Sequence, residues 1–446
     1  MSGSQLTYSD AVAAIRSRGR FGISLGLERV EALLAELGNP HRQLHGALVA
    51  GTNGKGSVVA LVRSVLGAAG LRVGTMPKPH LVSYRERIAI DGEPLGRERF
   101  AAAIGRVLPV ADRVAASLGP PTEFEVLTAA AFAELAAGHV DLVLVEVGLG
   151  GRLDATNALD AGVAAITNVQ HDHERLLGRT LALIGAEKAG IIKAGNLAVT
   201  GATGRGLTAI QDRCAALQVP LRRAGPHQPY RVGVRDSGWD GLLVDAITPH
   251  GGLADLRIGM LGRHQAANAA VALAILDALA EDAARRGTRF QVDEAAARRG
   301  FAAARWPGRM ELLRDEVHGR ILLDGAHNPA GARALASGLR ELGLRRFPLV
   351  FGATRGKRVT AVMRALAPLE PRPVFTRVSD AGALEPTSLL RAWRRVGNGG
   401  STSATPKDAL AVADAMRTAP DQAVVVAGSL YLVGAVRAIL TGEEAE

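Results

Sequence analysis

The stretch LVAGTNGKGS, residues 48–57, decides the fold. An apolar run over 45–50 has the composition of a buried parallel strand, and SVVALVRSVLGAAG, residues 57–70, carries apolar residues at helical spacing. Between them stands a turn with glycines at 51, 54 and 56, a lysine at 55 and hydroxyls at Thr52 and Ser57. Glycines let a backbone approach an anion and turn its N–H groups inward, and a helix N-terminus adds positive potential. This order predicts a phosphate cradle from Gly51, Thr52, Asn53, Gly54, Lys55, Gly56 and Ser57, with Lys55 on the outer phosphates and a hydroxyl for Mg²⁺. The strict pattern of such loops is not met. Val49 stands where its first glycine belongs, and Gly56 follows the lysine, so the hydroxyl comes one residue late. A plain glycine turn joining strand to helix is the alternative.

At 446 residues the chain has room for two domains, and a hydrophobic fraction of 48% with 53 glycines fits an α/β protein rather than a disordered or fibrous one. The opening MSGSQLTYSD lacks the basic and apolar regions of a signal peptide, and no apolar run is long enough to span a bilayer, so a cytoplasmic protein is expected. Cys214 is the single cysteine, which excludes an internal disulfide and a cysteine-based metal cluster. The net charge is +10, but its arginines are scattered rather than gathered in one block, and no nucleic-acid partner is predicted.

Ahead of the loop, amphipathic helices are predicted over 10–18 and 27–37, the second opened by GISLGLERV from residue 22, and both are expected to pack beside the loop. After it, a strand over 71–75 leads into MPKPHLVSYRERIAIDG, residues 76–92, which Pro77 and Pro79 keep extended and Asp91-Gly92 closes as a hairpin. Helices over 97–118 and 123–137 follow, then buried strands over 142–147 and 163–167 and a helix over 180–192. One α/β unit and strand-like segments with glycine turns occupy 195–260, before a long helix at LGRHQAANAAVALAILDAL, residues 261–279. Pro307-Gly308 breaks the pattern, so one domain is expected over 1–303 and another over 304–446. The second alternates strands over 321–324, 348–351, 373–376 and 423–427 with helices, and STSATP, residues 401–406, is expected as exposed loop. The fold class is α/β: a parallel-sheet, ATPase-like N-terminal domain with the phosphate loop, and a smaller Rossmann-like C-terminal domain.

Several side chains outside the loop carry chemistry. Glu146 ends a buried strand, where a carboxylate is costly unless paired or bound to a metal; a glutamate merely past the strand end is the other reading. His173, in NVQHDHERLLGRT (168–180), follows a strand end where α/β sheets place ligands and could ligate a metal; a surface loop is the alternative. Lysine occurs only at 55, 78, 188, 193, 357 and 407, so it is expected where a point charge or a nucleophilic amine is needed. Lys188 lies among the apolar residues of TLALIGAEKAGII (180–192), which lowers an amine's pKa and leaves a neutral nucleophile able to take up CO₂; a snorkelling lysine is the bland reading. LLDGAHNP, residues 322–329, puts Asp324, His327 and Asn328 at the ligand edge of the second domain.

In their order these strings resemble the folylpolyglutamate synthases, the branch of Mur-type amide-bond ligases that includes the dihydrofolate synthases. The likeness runs through nearly the whole chain: LGLER, AGTNGKGS, PHL with RERI, TEFEVLTAAAF, VEVGLGGRLDATN, DHERLLGRT, EKAGIIK, HQAANAA, WPGRMELL, DGAHNP and GSLYLVG. The resemblance implies a ligase in which ATP phosphorylates the glutamate carboxylate of tetrahydrofolate and L-glutamate attacks the acyl phosphate, with dihydropteroate as a further acceptor, giving dihydrofolate. It implies Lys55, His173 and Lys188 as catalytic, and Asn268, Arg309, Asp324 and His327 joining the loop around ATP. A first Mg²⁺ would lie on Ser57, Glu146 and His173 and a second on carbamylated Lys188, with a monovalent cation besides. Folate would lie at His80, Arg87, Thr122, Glu123 and Phe124. The expected enzyme is a monomer without membrane or nucleic-acid partners, and its smaller domain swings inward for catalysis.

The chain also departs from the family. Lys78 takes the place of a usual serine in PKPH, Gly356 and Arg358 replace the acids around Lys357 in FGATRGKRV, and SDAGALEP lacks an expected arginine. Two other readings compete. A ligase acting on another carboxylate, such as a cell-wall peptide precursor, is disfavoured by AGTNGKGS, TEFE and LDATN. A nucleotide-binding regulatory protein is disfavoured by the retention of Lys55, Ser57, Glu146, His173 and Lys188.

Overall fold

The computed structural model describes residues 6–19, 25–315, 318–380 and 382–443. The strand before the loop, Gly46–Ala50, lies inside an eight-stranded sheet, paired in parallel with Leu142–Glu146 on one side and Gly162–Ile166 on the other. Gly46–Ala50 and Leu142–Glu146 are buried at every residue, which is why they run apolar without alternation. From the central strand the chain first builds one flank through Val73–Met76, and later the other through Leu197–Thr200 and Leu221–Arg223. The reversal opens a crevice at the C-terminal ends of the central strands, where the phosphate loop emerges. The hairpin Ala89–Ile90 and Glu93–Pro94 forms an antiparallel edge, with both turn residues at positive φ, Asp91 at 56° and Gly92 at 91°.

The first two helices, Tyr8–Arg18 and Glu28–Glu36, pack on Arg97–Leu118 and Glu123–Ala137 instead of beside the loop. Their buried Ala11, Ile15, Leu33 and Leu34 share a core with Phe100 and Phe132. An apolar helix stripe needs a continuous apolar partner, which helices offer and a glycine loop does not. Residues 22–24, read as the start of the second helix, lie outside the described residues. An unforeseen helix, Glu294–Ala303, packs on the helix after the loop, where Ser64 Oγ donates to Gly300 O at 2.7 Å. Three antiparallel strands, Arg231–Gly238, Gly241–Thr248 and Gly251–Ile258, lay Leu242, Val244 and Ala246 against the helix His264–Arg285.

A six-stranded sheet runs Glu311–Asp315, Gly319–Asp324, Val424–Ala427, Pro348–Phe351, Arg372–Phe375, Ser401–Thr402. Its first strand is antiparallel and was not foreseen. The expected loop at 401–406 is also corrected: Ser401–Thr402 pairs as an edge strand and Pro406 opens the helix Pro406–Ala415. Two residues are too few to leave a periodic signal. Among the described residues no helix is long and apolar enough to cross a membrane.

Candidate functional site

The helix after the loop begins at Lys55, two residues before its apolar spacing suggests, so Ser57 lies inside the first turn. Gly54 precedes it with φ 82°, and no side chain caps the helix, so its first amides have no side-chain acceptor. The glycines are also required by close neighbours. A Cβ on Gly51 would fall 1.9 Å from Thr167 Oγ1, and one on Gly54 2.4 Å from Asn268 Oδ1. Thr167 Oγ1 and Asn168 Nδ2 donate to Asn53 O at 2.7 and 2.9 Å, and Asn53 N donates to Asn168 Oδ1 at 3.0 Å. The turn is thus laced to the end of the neighbouring strand.

The strand register sets Glu146 beside Val49, at the mouth of the loop. Glu146 is 4% exposed; Lys55 Nζ stands 3.8 Å from its Oε1, and Lys78 N donates to Oε2 at 3.2 Å. Burial pushes this carboxyl up, and Lys55 opposes the shift. His173 follows in the left-handed region, φ 49°, with its side chain half-exposed. Burial holds its imidazole below the ordinary value, so it is neutral near pH 7 with a lone pair to offer. Lys188, in the last turn of the helix Leu181–Ala189, is 4% exposed, and burial followed by the charge of Lys55 pushes its amine down to about 7. It makes no side-chain hydrogen bond or ion pair among the described residues.

These groups line one cleft of about 570 Å³, which also holds four of the six lysines: Lys55, Lys78, Lys188 and Lys357. No group of three or more His, Cys, Asp or Glu side chains among the described residues could hold a metal ion alone. Ser57, Glu146 and His173 offer one hydroxyl, one carboxylate and one imidazole. With Glu146 Oε1 turned toward Lys55 of the loop, that set fits Mg²⁺, which keeps waters and shares substrate phosphate oxygens rather than filling a protein cage.

The facing wall comes from the six-stranded sheet. Asp324 ends the strand Gly319–Asp324 and accepts from Met310 N at 2.9 Å and Ala326 N at 2.8 Å; burial raises its pKa and Arg309 opposes that. His327 Nδ1 lies 2.8 Å from Gly325 O, so this nitrogen carries the proton; burial pushes the ring down to about 4 and leaves it neutral. The Arg309 guanidinium passes over Gly325, where a Cβ would meet Nη1 at 2.5 Å. Asn268, in the first turns of His264–Arg285, donates to Gln265 Oε1 at 2.8 Å and abuts Gly54. Asn328, placed at this edge by the sequence but without a role, donates through Nδ2 to Asn53 Oδ1 and to Asp172 Oδ2, both at 3.2 Å, and so joins the two walls. Its signal was the Asn-Pro after a strand end: Asn328 also caps the helix Pro329–Glu341. Lys357 lines the cleft as well, whereas Ala381 of SDAGALEP lies outside the described residues.

Of the five residues expected at the folate, His80 lines the cleft, and Arg87, Thr122, Glu123 and Phe124 are not among its lining residues. Arg87 is buried and donates through Nε to His80 Nδ1 at 2.9 Å, and burial pushes His80 down to about 3. Tyr84 stacks on His80 with centroids 4.2 Å apart and donates to Glu123 Oε1 at 3.0 Å. The Thr122 hydroxyl caps the helix Glu123–Ala137 in a capping box with Glu125. Phe124 carries the Lys78 ammonium over its ring, 3.5 Å from the centroid, and burial pushes that ammonium down to about 8.

A phosphate loop at the switch point of one sheet, facing a strand-end acid, an imidazole and an arginine from a second, defines a nucleotide-using enzyme whose site lies between two α/β sheets. Residues 49–276 match the Mur ligase middle domain and residues 308–430 the Mur ligase glutamate ligase domain. The chain belongs to the Mur ligase family, in the branch of the folylpolyglutamate and dihydrofolate synthases. It is 33% identical over 434 residues to the dihydrofolate synthase/folylpolyglutamate synthase of Bacillus subtilis, covering 96% of this chain and 98% of that one. It superposes on the folylpolyglutamate synthase of Mycobacterium tuberculosis complexed with ADP and AMPPCP with a TM-score of 0.86 and 32% identity, covering 98% and 100% of the two chains. Escherichia coli FolC in complex with DHPP and ADP gives 0.83 and 28%, covering 97% and 98%.

Proposed function

We propose that this chain is an ATP-dependent ligase that adds L-glutamate to tetrahydrofolate through an acyl phosphate and also converts dihydropteroate to dihydrofolate. The observation that carries the reading is the convergence of Lys55, Glu146, His173 and Lys188, from four separate elements, on one cleft whose far wall holds Arg309, Asp324 and His327. In this reading the loop amides and Lys55 hold the phosphates of ATP, Asn268 buttresses the loop at Gly54, and Asp324 keeps Arg309 turned toward the nucleotide. Ser57, Glu146 and His173 would hold one Mg²⁺, and Lys188, carbamylated on its neutral amine, would help hold a second. Bound Mg²⁺ neutralises phosphoryl charge. The side chains themselves work by position and charge rather than by covalent chemistry. No residue of the cleft is assigned to a monovalent cation.

The chain would divide near Ala303, with 304–446 swinging against 1–303 and the Asn328 contacts serving as its latch on closing. A monomer in the cytoplasm acting on small molecules completes the proposal. The test is phosphate release from ATP and Mg²⁺ with L-glutamate, comparing tetrahydrofolate, dihydropteroate and no acceptor, with products weighed by mass spectrometry. A glutamate-sized gain on tetrahydrofolate is expected, and its absence with both pterins overturns the proposal.

A further inference from the structure

Lys78 enters the cleft without a task in that reaction. Its backbone N–H is tied to Glu146 Oε2 at 3.2 Å, while its ammonium rests over Phe124, so the side chain spans from the phosphate side of the cleft to the aromatic one. Gly148 makes the room: a Cβ there would meet Lys78 Nζ at 2.2 Å and Cδ at 2.8 Å. Among the described residues the ammonium has no hydrogen bond or ion pair. The neighbouring acid, Asp154, is already engaged. Its Oδ2 accepts from Leu149 N at 2.8 Å, and its Oδ1 accepts from Thr156 N at 3.1 Å and Thr156 Oγ1 at 2.6 Å. A buried ammonium stacked on an aromatic face is attracted to it, yet it still wants an anion.

We propose that Lys78 binds the reacting carboxylate of the acceptor, and the acyl phosphate made from it. This rests on the ligase reading, in which a carboxylate must lie within reach of the γ-phosphate in every productive complex. The carboxylate oxygen bonds to the γ-phosphorus as the bond from that phosphorus to the bridging oxygen breaks, and the electron pair leaves with ADP. Lys78 keeps its proton throughout. It offsets the acceptor's negative charge as that carboxylate approaches an anionic triphosphate, a repulsion that otherwise opposes the encounter.

The test measures binding by calorimetry to the AMPPCP-loaded protein, with tetrahydrofolate and its γ-carboxamide as the two probes. Wild type is expected to prefer the acid about ten- to a hundredfold, the worth of a hydrogen bond to a charged group. Lys78→Met should bring the two probes within about threefold of each other while AMPPCP affinity is kept, and Lys78→Arg should restore part of the preference. Gly148→Ala, whose Cβ would meet Lys78 Nζ at 2.2 Å and displace the ammonium, should reproduce part of the loss. A preference that survives in Lys78→Met overturns the assignment, as does tighter binding of both probes in that variant, which would make Lys78 a plug on Phe124. Wild type that binds neither probe overturns the ligase reading together with the assignment. Wild type that prefers the acid through Lys78 but never forms product overturns the ligase reading alone.

Discussion

On the wall built by the eight-stranded sheet, the phosphate loop is laced to a strand end more than a hundred residues away, through Asn53 and Asn168; on the wall built by the six-stranded sheet, Asp324 and His327 are held within their own turn by Ala326 and Gly325, with Met310 N as a further partner of Asp324. The first wall exists only when strands Gly46–Ala50, Leu142–Glu146 and Gly162–Ile166 are in register. The second is built on the strand-to-helix turn between Gly319–Asp324 and Pro329–Glu341. A wall laced across the sheet and a wall held within its own turn would suit the closing motion proposed above. Asn328 carries bonds between them, at 3.2 Å to Asn53 Oδ1 and to Asp172 Oδ2.

The largest effect is expected on the first wall. Glu146→Gln removes the strand-end charge and leaves its shape, so turnover should fall by roughly a thousandfold or more, in keeping with the loss of a group that organises phosphoryl charge. Magnesium titrations check this; an unchanged magnesium dependence would make the acid structural. Lys188→Arg keeps the cation but removes the amine that can take up CO₂, and turnover should drop by about a hundredfold with ATP affinity kept within a few fold. In the wild type, stripping CO₂ should lower activity and bicarbonate should restore it. The amine titrates at about 7, so its neutral form, and with it the recovery, grows as pH rises from 6 to 8. Survival of full activity in Lys188→Arg would remove this residue from the site.

Asn328→Ala tests the joint between the walls. It removes two cross-cleft bonds and a helix cap, and about a tenfold loss in kcat with a melting temperature lower by a few degrees is expected. A lower melting temperature with kcat unchanged would reduce Asn328 to a cap. The smallest catalytic effect belongs to Lys193, five residues beyond Lys188, whose Nζ donates to Asn157 O at 2.8 Å and Leu159 O at 2.5 Å. Lys193→Met should cost about 2–3 kcal/mol of stability, measured by denaturant melts, while activity per folded molecule stays near wild type. Equal losses of activity in the Lys188 and Lys193 variants would erase the contrast between a lysine kept for chemistry and one kept for the backbone.

Much of the first wall is legible in the amino-acid sequence. Glycine, lysine and hydroxyl spacing in LVAGTNGKGS and unbroken apolar runs ending in an acid are local patterns. The folate residues are less so. Thr122, Glu123 and Arg87 stand in the matching strings, yet the first caps a helix and the other two brace Tyr84 and His80. A string of letters carries residue type and order, but not which side of a helix start faces a cavity. The edge strand Ser401–Thr402 and the seating of the first two helices are hidden for a related reason: each depends on a partner surface far along the chain.

The α/β class, the phosphate loop, the family and the scarcity of lysine belong to the sequence alone, because short-range spacing and composition encode them directly. It took the folded chain to bring four of those lysines into one cleft, to bury Lys188 without a partner among the described residues while carbonyls clamp Lys193, and to lay Lys78 over Phe124. The reason is physical: burial and the set of opposing charges, which decide what an amine can do, are made by strand order and packing across long stretches of chain.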